Sequence, residues 1–196
     1  MRVKICGITN YDDAMNAITA GADALGFVFY EKSPRYINPE DAALIIDRLP
    51  PFVEKVGLFV NHSALEINNI SLKSHITLAQ IHFEADKETL SSLNIPFIEV
   101  KRVQSKEELS NLDDSYYLVD AYCEAYGGVG KRINLEWFEH IDCSKIILAG
   151  GLGPDNIHEI APFGFYGADV SSSVEVSKGL KDAKKVEAFI SKAKAL

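Results

Sequence analysis

Eight short apolar runs, separated by stretches with helical spacing, constrain this chain more than any other feature. They are Val3–Cys6, Ala24–Phe29, Val56–Val60, Leu78–Ile81, Phe97–Val100, Tyr116–Asp120, Lys145–Ala149 and Gly167–Val170. Runs this short, bounded by polar and glycine-bearing turns, read as strands. Strands that alternate with helices form a parallel sheet with right-handed crossovers, which makes the fold class α/β. A doubly wound open sheet and a closed (β/α)8 barrel both satisfy that rule. Eight units in 196 residues, with no break between them, favour the barrel as a single domain over residues 1–196. The length lies just below the usual lower bound of about 200 residues for such a barrel, so the loops must be short.

The helical stretches carry start signals. Asn38-Pro39-Glu40-Asp41 is a cap residue, a proline at the first helical position and two acids in the first turn. Asn10 to Met15 is similar, with Asp12 and Asp13 near the positive helix end, and Gly153-Pro154-Asp155-Asn156 opens another helix. The last helix, Asp182 to Lys194, lines up Val186, Phe189, Ile190 and Ala193 on one stripe. Leu65–Leu72 is the weakest helix, because Ile67, Ile70 and Ser71 are indifferent helix formers.

Composition removes several functional classes. Apolar residues at 47% and charged residues at 24% belong to a globular chain rather than a disordered one. A net charge of −8 argues against nucleic acid or an anionic membrane as partner, since both need a basic footprint. It leaves an anionic small molecule open, because backbone N–H groups at a helix N-terminus hold phosphate whatever the global charge. The cysteines, Cys6, Cys123 and Cys143, are odd in number and show no zinc-ligand spacing, which points to a reducing compartment. Met1 to Gly7 does not read as a secretory leader, and the apolar run Ala24–Tyr30 is too short to span a bilayer. The expectation is a cytoplasmic protein; oligomeric state is left open.

In a barrel the C-terminal strand ends form the active face. Here they carry Cys6, Gln80 with His82 two residues on, Lys101, Asp120 and Asp169. Each has a bland reading: a buried thiol, a histidine bonded to a carbonyl, a snorkelling lysine, a turn aspartate. Five such groups on one rim make the wholly structural reading weaker than any one alone, and an acid inside a short apolar strand needs a partner. Gly150-Gly151-Leu152 follows the seventh run and Ser171-Ser172-Ser173 the eighth, where barrels frequently build a phosphate site. Tyr126-Gly127-Gly128-Val129-Gly130-Lys131 lies in the long connection after Asp120; it is a lid candidate and lacks the P-loop pattern.

Taken together, Lys4-Ile5-Cys6-Gly7-Ile8-Thr9, Gly26-Phe27-Val28-Phe29, Ser33-Pro34-Arg35-Tyr36-Ile37, Gln80-Ile81-His82, Asp120 with Gly127-Gly128-Val129-Gly130, Ala149-Gly150-Gly151-Leu152 and Asp169-Val170-Ser171-Ser172 resemble the phosphoribosylanthranilate isomerase family, in order and over nearly the whole chain. The resemblance implies a (β/α)8 barrel of tryptophan biosynthesis that uses no metal and no organic cofactor. It implies a sugar-phosphate substrate, N-(5-phosphoribosyl)anthranilate, converted to the 1-deoxyribulose 5-phosphate. It further implies Cys6 as general base, Asp120 as general acid, Arg35 on the anthranilate carboxylate and Asp169 near the reacting sugar. Gln80 and His82 would join the substrate site, and Gly150, Gly151, Ser171, Ser172 and Ser173 would hold the phosphate. The chemistry requires a thiol pKa lowered from about 8.5 and a carboxyl pKa raised from about 3.9. Lys4, two residues before Cys6, shares its side of the strand.

The chain departs from the family at four places. Ser173 stands where glycine is usual, Gly153 where asparagine is common, Phe83 where glycine often follows the histidine, and Arg132-Ile133-Asn134-Leu135 replaces a Thr-Phe-Asp-Trp-like stretch. A positive φ at position 173 would strain serine. Two rival readings follow: a Schiff-base enzyme working through Lys101, and a phosphate-ligand barrel in which Ser173 and an altered lid mark lost catalysis.

Overall fold

A computed structural model describes residues 1–110, 112–121 and 132–196. Cys123 and the Tyr126–Lys131 cluster lie outside the described residues. Strands β1 (Arg2–Cys6), β2 (Ala24–Val28), β3 (Glu54–Phe59), β4 (Leu78–Ile81), β5 (Phe97–Val103), β6 (Tyr117–Ala121), β7 (Ile146–Leu148) and β8 (Gly167–Val170) close into a parallel barrel in chain order. Helices α1 (Tyr11–Ala20), α2 (Pro39–Ile46), α3 (Ala64–Ser74), α4 (Lys87–Ser91), α5 (Lys106–Ser110) and α6 (Ala183–Lys194) lie between or after the strands. Every expected strand is present, with β5 running three residues further than its apolar run.

The caps act as their residue types dictate. Asn10 accepts from the Asp13 N–H and Asn38 from the Asp41 N–H, each satisfying an orphan donor of the first turn. Gly21, at φ 102°, ends α1 in a left-handed turn. Helix α3 forms despite its indifferent residues because Ser63 and Glu66 make a reciprocal capping box. The segment that Gly153 opens differs from the expected helix, and the one after Arg132 is likewise short. Both are 3₁₀ turns, at Ile157–Phe163 and Leu135–Phe138. Pro162 lies inside the first, and its missing N–H and bulky ring oppose an α-helix there. An antiparallel hairpin, β9 (Glu175–Ser177) and β10 (Leu180–Lys181), was not expected at all.

Period-two alternation divides the apolar residues into two cores. Ile98, Val100, Leu118 and Ala149 fill the barrel interior with Leu78 and Ile147. Phe27, Phe59, Ile81, Val119, Phe138 and Phe189 fill the sleeve between strands and helices. Among the described residues no helix is long and apolar enough to cross a membrane. Register then places the polar strand ends: Lys4 lies opposite Asp169 across β1–β8, Cys6 opposite Gly26 across β1–β2, and Arg102 opposite Asp120 across β5–β6.

Candidate active site

On β1, Lys4 and Cys6 are two residues apart and point the same way, into the barrel mouth. Lys4 Nζ donates to Asp169 Oδ1 at 2.8 Å, and both side chains are largely buried. The Lys4 ammonium is near enough to the Cys6 thiol to pull its pKa down, as its place on the same side of the strand allows. Gly26 makes room for it. A Cβ at residue 26 would sit 2.7 Å from Cys6 Sγ and 3.1 Å from Lys4 Cε. Gly7, at φ 80°, turns the chain out of β1; a Cβ there would meet Arg35 Cδ at 2.6 Å and Ser171 Oγ at 3.3 Å. Cys6, Arg35 and Ser171 therefore converge on one glycine.

The thiol departs from the expected lowering. Burial pushes the Cys6 pKa up; Lys4 and Lys181 pull it down and Asp169 opposes them, and burial prevails. Asp120 follows expectation. Burial first, with Asp169 adding, pushes its pKa up to about 6, against the pull of the Ala121 N–H, Arg102 and Lys4. That N–H bonds Asp120 Oδ1 at 2.8 Å. His82 is pushed down to about 4 by burial, with Arg102 and Lys4 assisting, so it is neutral at pH 7. Gln80 is buried one layer below, and its Oε1 has no hydrogen-bond partner among the described residues; the same holds for Ser171 Oγ. Such atoms inside a site await a ligand's polar groups.

Lys101 does not belong to this set. It ion-pairs with Glu99 at 2.9 Å and sits over the Tyr117 ring, on the sleeve side of β5. A Schiff-base role for it has no support from this placement. Arg102, one residue on, shares the inward phase of Ile98 and Val100 and acts on both Asp120 and His82. Sequence reasoning missed it by ending the strand at Val100, although the alternation of Ile98 and Val100 carries the signal.

The two presumed phosphate loops meet. Gly150 and Gly151 have φ of 87° and 64°, where a side chain would be strained. Asn156 pins their turn, donating to the Gly151 carbonyl at 2.9 Å and accepting from the Gly153 N–H at 2.8 Å. Ser172 and Ser173 lie in a 3₁₀ turn, Ser172–Val174. Ser173 is not among the positive-φ residues, so serine is unstrained there. A Cβ on Gly153 would lie 2.9 Å from Ser173 Cβ. The two departures from the family pattern are therefore one exchange, a side chain removed at 153 where one is added at 173.

Arg35 is buried after β2. Its Nε and Nη2 donate to the two oxygens of Glu175 at 2.8 and 2.9 Å, a bidentate pair across 140 residues. Glu175 also accepts from Lys181 Nζ at 2.9 Å. Neither Glu175 nor Lys181 was anticipated, because nothing local in the sequence pairs them with Arg35. Among the described residues no group of three or more His, Cys, Asp or Glu side chains is arranged to hold a metal ion.

A (β/α)8 barrel whose mouth holds a thiol beside an ammonium, a protonatable carboxyl and a glycine–serine double loop defines a class: a proton-transfer enzyme for a small anionic substrate. Residues 3–192 match the family model for N-(5'-phosphoribosyl)anthranilate isomerase, and the chain belongs to that family. It is 60% identical, over the full length of both chains, to the N-(5'-phosphoribosyl)anthranilate isomerase of Sulfurovum sp.. Its fold matches the crystal structure of phosphoribosyl anthranilate isomerase from Thermotoga maritima with a TM-score of 0.89 at 38% identity, covering both chains completely. A further solved isomerase, in complex with reduced 1-(o-carboxyphenylamino)-1-deoxyribulose 5-phosphate, matches with a TM-score of 0.86 at 37% identity, again over both whole chains.

Proposed function

We propose that this site isomerises N-(5-phosphoribosyl)anthranilate to 1-(2-carboxyphenylamino)-1-deoxyribulose 5-phosphate, a step of tryptophan biosynthesis, with Cys6 as general base and Asp120 as general acid. Protonated Asp120 donates to the furanose ring oxygen as the C1–O bond breaks, and the nitrogen lone pair forms the iminium. Thiolate Cys6 then removes the C2 proton, and the electron pair relaxes onto nitrogen to give an enolamine. Moving the C2 hydroxyl proton to C1 yields the ketone. Atoms and electrons balance without an added oxidant or reductant.

The observation that carries the reading is a protonatable carboxyl and a thiol acted on by two ammonium groups, held on one rim. Asp120 has a pKa near 6, so about a tenth of it is protonated at pH 7, while the Lys4 and Lys181 ammonium groups offset part of the burial that keeps Cys6 a thiol. Arg35 suits the anthranilate carboxylate, because its planar fork has a second edge beyond the one Glu175 occupies. Gly150, Gly151 and Ser171–Ser173 take the phosphate, and Gln80, His82 and Asp169 line the sugar. The bound analogue of the solved relative, a carboxyphenylamino sugar phosphate, has the three parts that these subsites require. The reading includes a reducing, cytoplasmic setting, consistent with the unpaired thiols of Cys6 and Cys143.

The test is turnover. With phosphoribosylanthranilate generated in situ, we expect its fluorescence to decay rapidly on adding the protein and not on adding Cys6→Ala. Retained fluorescence with wild type, together with binding, would establish a non-catalytic barrel instead.

A further inference from the structure

The hairpin after β8 does something the reaction scheme leaves unassigned. It carries Glu175, a buried carboxylate far in sequence from Arg35 and yet in bidentate contact with it. The contact uses the side edge of the guanidinium, Nε and Nη2. The end edge, with one N–H each from Nη1 and Nη2, is the second edge of the fork, the one that takes another carboxylate in parallel hydrogen bonds. Holding the side edge fixes the direction in which the end edge points.

Besides Arg35, two groups hold Glu175. Lys181 Nζ donates to Oε1 at 2.9 Å, and the Gly179 N–H approaches the same oxygen at 3.3 Å. The hairpin is then tied to the rim. The Lys181 N–H donates to Asp13 Oδ2 at 2.8 Å, Lys181 Nζ reaches the Ser171 carbonyl at 3.4 Å, and Thr9 Oγ1 donates to the Gly179 carbonyl at 2.6 Å. Glu175 thus lies between two cations, Arg35 and Lys181. A surface pair would give no such definition; this pair is buried and keyed to the loop beside the phosphate subsite.

We propose that Glu175 is a positioning residue of the reaction: it aims the Arg35 guanidinium at the carboxylate of the aromatic half of the substrate and locks that aim, through Lys181, to the loop after β8. This rests on the carboxylate role given to Arg35 above. Glu175 does not touch the substrate; it acts through Arg35.

The experiment is a double-mutant cycle of Glu175→Asp and Arg35→Ala, read as KM and kcat for phosphoribosylanthranilate, with inhibition by ribose 5-phosphate, which lacks the aromatic carboxylate, alongside. Glu175→Asp keeps the charge and withdraws it by one methylene. We expect it to raise KM about tenfold with kcat changed less than about threefold, and to leave the ribose 5-phosphate inhibition constant within about twofold. In the Arg35→Ala background the same substitution should change KM less than about twofold. Should Glu175→Asp not fold, Glu175→Gln, which keeps the length and one acceptor oxygen, is read in the same way. Arg35→Ala raising KM while the Glu175 variant leaves it unchanged, or an effect undiminished without Arg35, overturns the proposal alone. An unchanged KM in Arg35→Ala overturns the carboxylate reading and the proposal with it.

Discussion

On the β8–β1 side of the mouth the buried charges are matched. Lys4 lies on Asp169, and Glu175 lies between Arg35 and Lys181. On the β4–β6 side, burial works against charge. His82 is pushed down to about 4, Asp120 up to about 6, and Gln80 Oε1 has no partner among the described residues. The first side is a preorganised cationic frame, suited to anchoring an anion and to offsetting part of what burial costs a Cys6 thiolate. The second lets a carboxyl hold its proton to a higher pH than water would allow. The proposed acid–base scheme needs both at once, and a barrel can bring them together because eight strand ends of different sequence meet at a single rim.

The largest effect should come from removing the proton on the second side. Asp120→Asn should lower kcat at least about a hundredfold with the fold intact, as judged by circular dichroism, and near-normal turnover would remove Asp120 from the mechanism. The same change should raise stability at pH 8. The native carboxyl titrates near 6, above its ordinary 3.8, so folding favours its protonated form. That contribution is present below about pH 4 and is lost as pH rises through 6, where the native state bears an ionised, desolvated group. Allowing for partial exposure, we expect a gain of up to about 2 kcal/mol by denaturant unfolding.

Smaller effects should come from the first side. Gly26→Ala puts a methyl 2.7 Å from Cys6 Sγ and must displace the thiol, so kcat should fall at least about tenfold. An unchanged kcat would show that the sulfur's position is not critical. Arg35→Lys loses the planar fork and should raise KM by about tenfold while lowering kcat less; collapsed turnover at constant KM would make Arg35 catalytic instead. The smallest effect concerns the meeting loops. Gly153→Asn should cost about 1–3 kcal/mol through its clash with Ser173, and Ser173→Gly in the same chain should restore most of it. Additive losses would show that the two positions do not exchange.

The asymmetry between the two sides also marks what the sequence made legible. All eight strands were readable, because a buried parallel strand is a short apolar run whatever its partners. Cys6, Asp120 and Asp169 stood out as chemistry at the ends of such runs. Arg102 was readable in principle from the inward phase of Ile98 and Val100, and the capping box of Ser63 and Glu66 stood in plain sequence while propensity alone was weighed. Glu175 was not readable. Its meaning lies in a contact across 140 residues, made by a hairpin that no apolar run announces. The exchange between Gly153 and Ser173 was visible as two departures, but only their proximity makes them one.

The most direct test of the acid–base division is the pH dependence of kcat/KM in wild type and Asp120→Asn. The reactive form holds protonated Asp120 and thiolate Cys6 together. Above about pH 6, loss of the Asp120 proton offsets gain of thiolate, so wild-type kcat/KM should be flat there and should fall about tenfold per unit below it. Asp120→Asn has no such proton to lose, and its residual kcat/KM should keep rising through pH 6 to 8. A break at the same pH in both proteins would assign it to another group, such as the substrate phosphate, and would contradict Asp120 as the acid.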